Sequence, residues 1–381
     1  MTVQNRFFLL VCIVLNVFLL QNVAVATPSA NDSLANRAKT LFEILSREPA
    51  LEITITTNMT QLIEHRRTEE YLPATFAYDN EQGTTVTRNI EVQTRGKFRR
   101  RVCDFPPVRL KFAKKDLESE GLVKSYNKLK LVTHCLDDKE AGNENLLKEY
   151  LIYQLYNQLT PNSFRVQLAK VTYVDSEGLA AKVKRYGILI EDTDEMAARL
   201  HSREIETMNL SNDSISAQDE ATMAMFQYMI ANADWTTEML RNVKMILPAG
   251  SAKAIPVPYD FDFSGLVNAS YAIPQADKGL LTIRDRTYLG EFQDPALLRQ
   301  TLRHFIQNKA ALLKIVKSFK LLSVETRQDV TAYLESFYNA VEPAYADQST
   351  DLVGFLKMRN ATLETWKQAQ VAARGVGNAN K

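Results

Sequence analysis

Apolar side chains recur at every second position through much of the first half of the chain. Leu51 to Thr57 is rich in β-branched residues, and Val86 to Thr94 alternates Ile90, Val92 and Thr94 with polar neighbours. Pro107 to Phe112 sets Val108, Leu110 and Phe112 against Arg109 and Lys111. Period-two patterns of this kind predict strands. Leu129 to Thr133 predicts another, and Leu168 to Asp175 with Tyr186 to Glu191 reads as a hairpin across a charged loop. One helix stands among them. Asn145 to Leu159 repeats Leu147, Leu151, Leu155 and Leu159 at a spacing of four, and Pro161 stops it.

The period then changes. Ser216-Ala217-Gln218-Asp219 reads as a capping box opening a helix through Met223, Phe226 and Ile230. Leu297 to Phe319, Val324 to Tyr345 and Leu352 to Ala372 are amphipathic at helical spacing. A single β interruption, Val243 to Ile246 and Ile255 to Val257, is joined by a Pro-Ala-Gly-Ser turn. The pattern predicts an α+β chain in two lobes. A mostly antiparallel sheet with one central helix covers residues 49–195, and a helical lobe with an embedded hairpin covers 196–375. Residues 27–48 read as a linker with a short helix, Leu34 through Ser46.

The first 26 residues follow neither period. Arg6 is their only charge, Phe7 to Leu20 is apolar apart from Asn16, and Ala24-Val25-Ala26 is a small-x-small site. The run falls short of the ~20 residues a membrane span needs. It predicts a signal peptide cleaved near Ala26, and a secreted or periplasmic mature chain without a membrane span.

Composition narrows the classes further. The 381 residues include 46 Lys and Arg against 45 Asp and Glu, a balance that argues against nucleic acid as a partner. With 45% apolar residues and only 13 Gly and 12 Pro, the chain is neither disordered nor low in complexity. Cys12 falls in the signal, leaving Cys103 and Cys135, which an oxidising compartment would pair. The four histidines show no zinc spacing, and no Gly-x-Ser-x-Gly elbow occurs.

Candidate chemistry concentrates in three segments: Asn232-Ala233-Asp234-Trp235, Arg241-Asn242-Val243-Lys244, and Pro258-Tyr259-Asp260-Phe261-Asp262-Phe263. The hairpin between the last two should return Asp260 to the neighbourhood of Asp234 and Asn242. Carboxylates and an amide carbonyl are hard oxygen ligands suited to Mg²⁺ or Mn²⁺. Phosphoryl transfer needs such a set, with one Asp to orient the attacking hydroxyl and others to hold metal on the phosphates. A glycosidase-type carboxylate pair drawn from Asp234, Asp260 and Asp262 is the acid/base alternative.

In their order these segments resemble the atypical kinases of the spore-coat CotH and HipA type over about residues 90 to 270. The chain also looks like a group of secreted bacterial proteins with similar Asn-x-Asp-Trp and Pro-Tyr-Asp-Phe-Asp motifs, a likeness that implies no activity. The kinase resemblance implies a bilobal kinase-like fold, a nucleoside triphosphate such as ATP, and an unknown protein or small-molecule acceptor. It implies Asp234 as the catalytic residue, Asn242, Asp260 and Asp262 at the metal, and Tyr259 beside the nucleotide. Lys130 or Lys111 would reach the phosphates, held by Glu149. Arg95, opening the basic run Arg95-Gly96-Lys97-Phe98-Arg99-Arg100-Arg101, would face anionic oxygens. Three features depart from the pattern. Gly96 stands alone where a glycine-rich loop is usual, eight residues separate Asp234 from Asn242 where five are usual, and Thr236 replaces a His. A catalytically silent binding or scaffold protein of the envelope is the alternative they raise.

Overall fold

The strands of the first half close on themselves. The computed structural model describes residues 37–370 apart from 48 and 363. The expected signal peptide, the start of the short helix at Leu34 and the end of the last amphipathic run lie outside these residues.

Seven strands, β1 (Leu51–Thr57), β2 (Leu72–Asp79), β3 (Thr85–Thr94), β4 (Val108–Phe112), β5 (Lys128–Val132), β6 (Val166–Asp175) and β7 (Val183–Ile190), form a closed barrel. Its order is β1-β2-β3-β4-β5-β7-β6, antiparallel throughout except where β1 meets β6 in parallel from Leu51↔Ala169 to Thr57↔Asp175. This closure overturns the expected bilobal kinase-like fold, whose first lobe would be an open sheet. Side-chain alternation is the same in an open and a closed sheet, and only the β1–β6 pairing separates them.

The barrel interior takes every second residue. Ile53, Ile55, Phe76, Ile90, Val92, Leu110, Phe112, Leu129, Leu131, Val171 and Leu189 fill it. The walls formed by β5, β6 and β7 are two-faced, because Val132, Leu168, Ile188 and Ile190 point outward into a second core. That core includes the long helix. Of the short helices α1 (Leu41–Leu45), α2 (Met59–Glu64), α3 (Arg99–Val102) and α4 (Lys114–Ser119), α3 matters for the site. The long helix is α5 (Lys139–Leu159), N-capped by the Asp138 side chain on the Ala141 amide.

After β7 come α6 (Thr193–Arg199) and β8 (Ser202–Ile205), then α7 (Ala217–Met229), β9 (Val243–Pro248) and β10 (Ile255–Pro258). β8, β9 and β10 form a separate antiparallel sheet. The Ser216 hydroxyl donates to the Asp219 carboxylate and caps no backbone amide, so this start is not the capping box its sequence predicts. Helices α8 (Pro295–Ser318) and α9 (Val324–Ala346) follow. The last amphipathic run breaks after α10 (Leu352–Lys357), where Asn360 adopts a left-handed backbone, and helix resumes over 364–370. Among the described residues no helix is long and apolar enough to cross a membrane.

Candidate functional site

The Asn-x-Asp segment follows the end of α7. The chain turns through Ala231 at φ 51°, and buried Asn232 ties the turn back to the helix by donating to the Gln227 side chain at 3.0 Å. Its own carbonyl accepts the Asp234 amide at 3.0 Å, which fixes where that carboxylate projects. Thr236 and Arg241 then pair through two backbone hydrogen bonds and close a tight loop. The extra residues between Asp234 and Asn242 are taken up there. Asn242 thus returns to Asp234 and donates its amide to the carboxylate Oδ2 at 3.0 Å and to the backbone carbonyl at 2.8 Å.

The β9–β10 hairpin does the rest. The Tyr259 amide donates to the Asn242 carbonyl at 3.0 Å, and the next amide, that of Asp260, donates to the buried Tyr153 hydroxyl of α5 at 3.0 Å. Asn242 at φ 52° and Asp260 at φ 65° both lie in the left-handed region, which costs a non-glycine residue free energy and tends to mark functional positions. Asp234, Asn242 and Asp260 therefore share one place. Burial pushes the Asp234 carboxyl up, Arg241 opposes this, and the Asp260 charge adds to it.

The expected lysine–glutamate pair is absent, and the partners are redistributed for physical reasons. Lys111 lies on the solvent side of β4, paired with Glu91 at 2.6 Å and set over the Tyr71 ring. Lys130 projects outward from β5, donates to the Thr193 hydroxyl at 3.0 Å, and sits over the Phe164 and Tyr259 rings at 5.3 and 5.2 Å. Packing around it pushes its ammonium down to about 7, helped by Arg95 and Lys244 and opposed by Asp192 and Glu204. Glu149 takes Arg99 in place of a lysine.

Arg99, 5% exposed on α3, reaches three carboxylates. Its Nη2 meets Asp260 Oδ1 at 2.5 Å and Glu149 Oε2 at 3.1 Å, and its Nε meets Asp262 Oδ2 at 2.8 Å. Three carboxylates around one guanidinium leave an excess of negative charge in a buried place. Burial drives Glu149 upward despite Arg99, and Asp262 likewise. Sequence reasoning placed Arg99 in a run facing anionic oxygens, and the oxygens it meets are the protein's own. A run of three consecutive arginines does not show which one turns inward.

Next to Asp260 in the chain, Tyr259 is approached by Arg95, Lys130 and Lys244. Lys244 is neutralised by Glu204 at 2.6 Å. Arg95 and Lys130 differ, since among the described residues no carboxylate stands within ion-pair distance of either. Burial pushes the Arg95 guanidinium down, and the charge on Asp260 partly restores it. Arg95, Lys130, Thr193, Phe164 and Lys244 thus gather around Tyr259; Thr193 and Phe164 carry no sequence motif that would have marked them, whereas Lys244 lies in one of the three candidate segments.

The donors fit a divalent cation only in part. Asp262 is 4% exposed, with Arg99 on one side and a hydrogen bond from Tyr271 on the other, so it is closed to a metal. Asn242 spends its amide nitrogen on Asp234. Asp260 is partly exposed and keeps Oδ2 clear of Arg99. No group of three or more His, Cys, Asp or Glu side chains among the described residues is arranged to hold a metal ion.

Cys103 and Cys135 stand at disulfide distance, with the sulfurs 2.12 Å apart. Cys103 C-caps α3 and Cys135 leads from β5 toward α5, so the bridge ties the helix of Arg99 to the approach of the helix carrying Glu149. The chain matches no protein-family model and no curated protein sequence.

Proposed function

We propose that this chain is an exported phosphotransferase that binds a nucleoside triphosphate in the cleft between Arg95, Lys130 and Tyr259 on one side and Asp234 and Asp260 on the other. The observation that carries the reading is a pair of cations with no carboxylate partner among the described residues: Lys130 over the Tyr259 ring, and Arg95 beside it and beside the charge of Asp260. A partly desolvated ammonium and guanidinium recover charge-assisted hydrogen bonds when phosphate oxygens arrive. Tyr259 supplies an aromatic wall beside them.

In this reading Arg95 and Lys130 bind the phosphates, and Asp260 would hold a divalent cation, which would supply charge neutralisation there. Asp234, oriented by the Asn242 amide, accepts the proton of an acceptor hydroxyl. The acceptor oxygen forms a bond to the terminal phosphorus as the bond to the bridging oxygen breaks, and the nucleoside diphosphate leaves. The raised Asp234 carboxyl suits it to take a proton nearer neutrality.

A second reading, a silent binding protein, is favoured by Arg99. Its guanidinium already occupies Asp260 Oδ1 and Asp262, where a catalytic metal would compete. One experiment separates the two. Calorimetric titration with ATP is run with and without Mg²⁺ on the wild type, Lys130→Met and Asp260→Asn, followed by assay of nucleotide turnover. Phosphotransfer requires Mg²⁺-dependent binding weakened in both variants, and turnover lost in Asp234→Asn with binding retained. Metal-independent binding without turnover supports the silent protein. A folded wild type that binds neither nucleotide nor triphosphate overturns the phosphotransferase and leaves the silent scaffold.

A further inference from the structure

At the far end of the β6–β7 hairpin lies a second concentration of positive charge. Lys130 stands in register with Ile190, whereas Lys170 pairs with Tyr186, four residues back along β7. At ~3.3 Å per residue that is about 13 Å from the cleft. A groove of about 180 Å³ opens there, lined by Lys139 and Asn143 of α5, Lys170 of β6, and Lys184, Arg185 and Tyr186 of β7.

The charges are poorly compensated. Lys170 and Lys184 share one carboxylate, Glu52, at 3.5 and 3.8 Å. Among the described residues no carboxylate pairs with Lys139 or Arg185. Arg185 is nevertheless held in place. Its terminal nitrogens donate to the backbone carbonyls of Lys184 at 3.2 Å and Asp137 at 3.0 Å, and its Nε is buried without a partner. Carbonyl oxygens orient a guanidinium without cancelling its charge, so this site carries a fixed cation. The Asn143 side chain accepts the Tyr186 amide at 3.2 Å and pins α5 to the groove wall.

We propose that this groove binds a tetrahedral oxyanion, a phosphate or sulfate group, independently of the nucleotide cleft. The volume accommodates such a group, and four cations against one shared carboxylate supply its charge. Flexible Lys139, Lys170 and Lys184 close on oxygens from the rim, while Arg185 contributes a positioned field from beneath. The group belongs either to a free anion or to an anionic polymer that presents it.

The test is calorimetry of the full mature chain with sodium phosphate, sodium sulfate and dextran sulfate, at constant ionic strength against a chloride control. The groove predicts a binding event that persists in Lys130→Met, whatever phosphate the cleft itself takes in the wild type. Binding should be at least tenfold weaker in Lys170→Ala/Lys184→Ala and in Lys139→Ala/Arg185→Gln. Binding of free phosphate and sulfate identifies a small-anion site, and binding of dextran sulfate alone identifies a polymer-borne group. Lys139→Ala, a change at an exposed residue, serves alone if a double variant fails to fold. No binding above the chloride control, or binding lost in Lys130→Met and retained in the groove variants, overturns the proposal. Because Lys130→Met disables only the cleft, failure here is distinguishable from failure of the nucleotide reading.

Discussion

Replacing Arg99 by methionine should be among the most damaging single changes to this protein, and the damage should depend on pH in a stated direction. The side chain is nearly buried and compensates Glu149 and Asp262, 2% and 4% exposed, together with the more open Asp260. Methionine keeps the volume but leaves three carboxylates facing one another. Breaking a buried pair by removing one partner costs about 3–5 kcal/mol, because the remaining charge has no compensation. The carboxylates can escape by protonation. In the variant the folded-state pKa values of Glu149 and Asp262, already raised by burial, stand well above the unfolded ones, near 4, so the folded state binds more protons than the unfolded state. Stability therefore falls as pH rises from about 4 through the raised values, and the penalty is smallest in acid. Urea denaturation of wild type and Arg99→Met at pH 5 and pH 8 measures this. A loss of about 3–5 kcal/mol at pH 8, clearly reduced at pH 5, is expected. Adding Glu149→Gln should recover part of it at pH 8, since folding then no longer has to protonate Glu149. A cost below about 1 kcal/mol at pH 8, or a cost equal at both pH values, would refute the claim that Arg99 is the electrostatic centre of the site.

Three further outcomes follow from other parts of the fold. Gly187 faces the barrel interior, where an added Cβ would meet Leu131 Cδ1 at 2.8 Å and Val171 Cγ2 at 2.9 Å, both fully buried. Gly187→Ala should cost about 1–3 kcal/mol in chemical denaturation, and no loss would show that the barrel wall yields. The Cys103–Cys135 bridge closes a separation of 32 residues. Cys103→Ser/Cys135→Ser should lose about 3–4 kcal/mol on the chain-entropy account, and a reductant should no longer change the midpoint. Glu220 is fully buried, with Oε2 unpartnered and its carboxyl pushed up to about 7 by burial. A raised folded value means the protonated form favours the fold, so this contribution is present below the unfolded value near 4.5 and lost as pH rises through about 7. Glu220→Gln should remove up to about 3 kcal/mol of that pH dependence, and an unchanged stability profile between pH 5 and 8 would count against it.

Elements with a strong period were readable from the sequence, and closure was not. The leucine stripe from Leu147 to Leu159 gave its helix directly, although the helix starts earlier, at Lys139, where the residues are polar. β2 carries only a weak strand signal although Leu72, Ala74, Phe76 and Tyr78 alternate, because Pro73 breaks the usual strand composition. Short β8, with its partly exposed face, carried too little pattern to notice. The parallel β1–β6 pairing joins segments more than a hundred residues apart, and no local pattern encodes it. The convergence of Asp234, Asn242 and Asp260 was legible because a short hairpin allows few arrangements. The partners of Lys130 and Glu149 were not. A sequence shows which residues can pair, whereas α3 decides which cation arrives, and its four residues have no periodicity.

The choice of cation bears on what the site can do. A lysine paired with Glu149 could exchange that partner for phosphate oxygens at little cost, since a single flexible ammonium serves either. Arg99 is committed differently: its fork is spread over three carboxylates from α5 and the segment after β10, and the disulfide helps anchor its helix. Releasing it toward a ligand would strand buried charge. In the phosphotransferase reading proposed above, phosphate recognition would therefore fall to Arg95 and Lys130, which have no carboxylate partner among the described residues to lose. Arg99 instead fixes the acidic side against which an incoming cation must compete, and Asp260, the most exposed of its three carboxylates, is where that competition is decided. If Mg²⁺ binds here with nucleotide, the Asp260–Arg99 contact is the one that must loosen, while those to Glu149 and Asp262 persist and hold the fold.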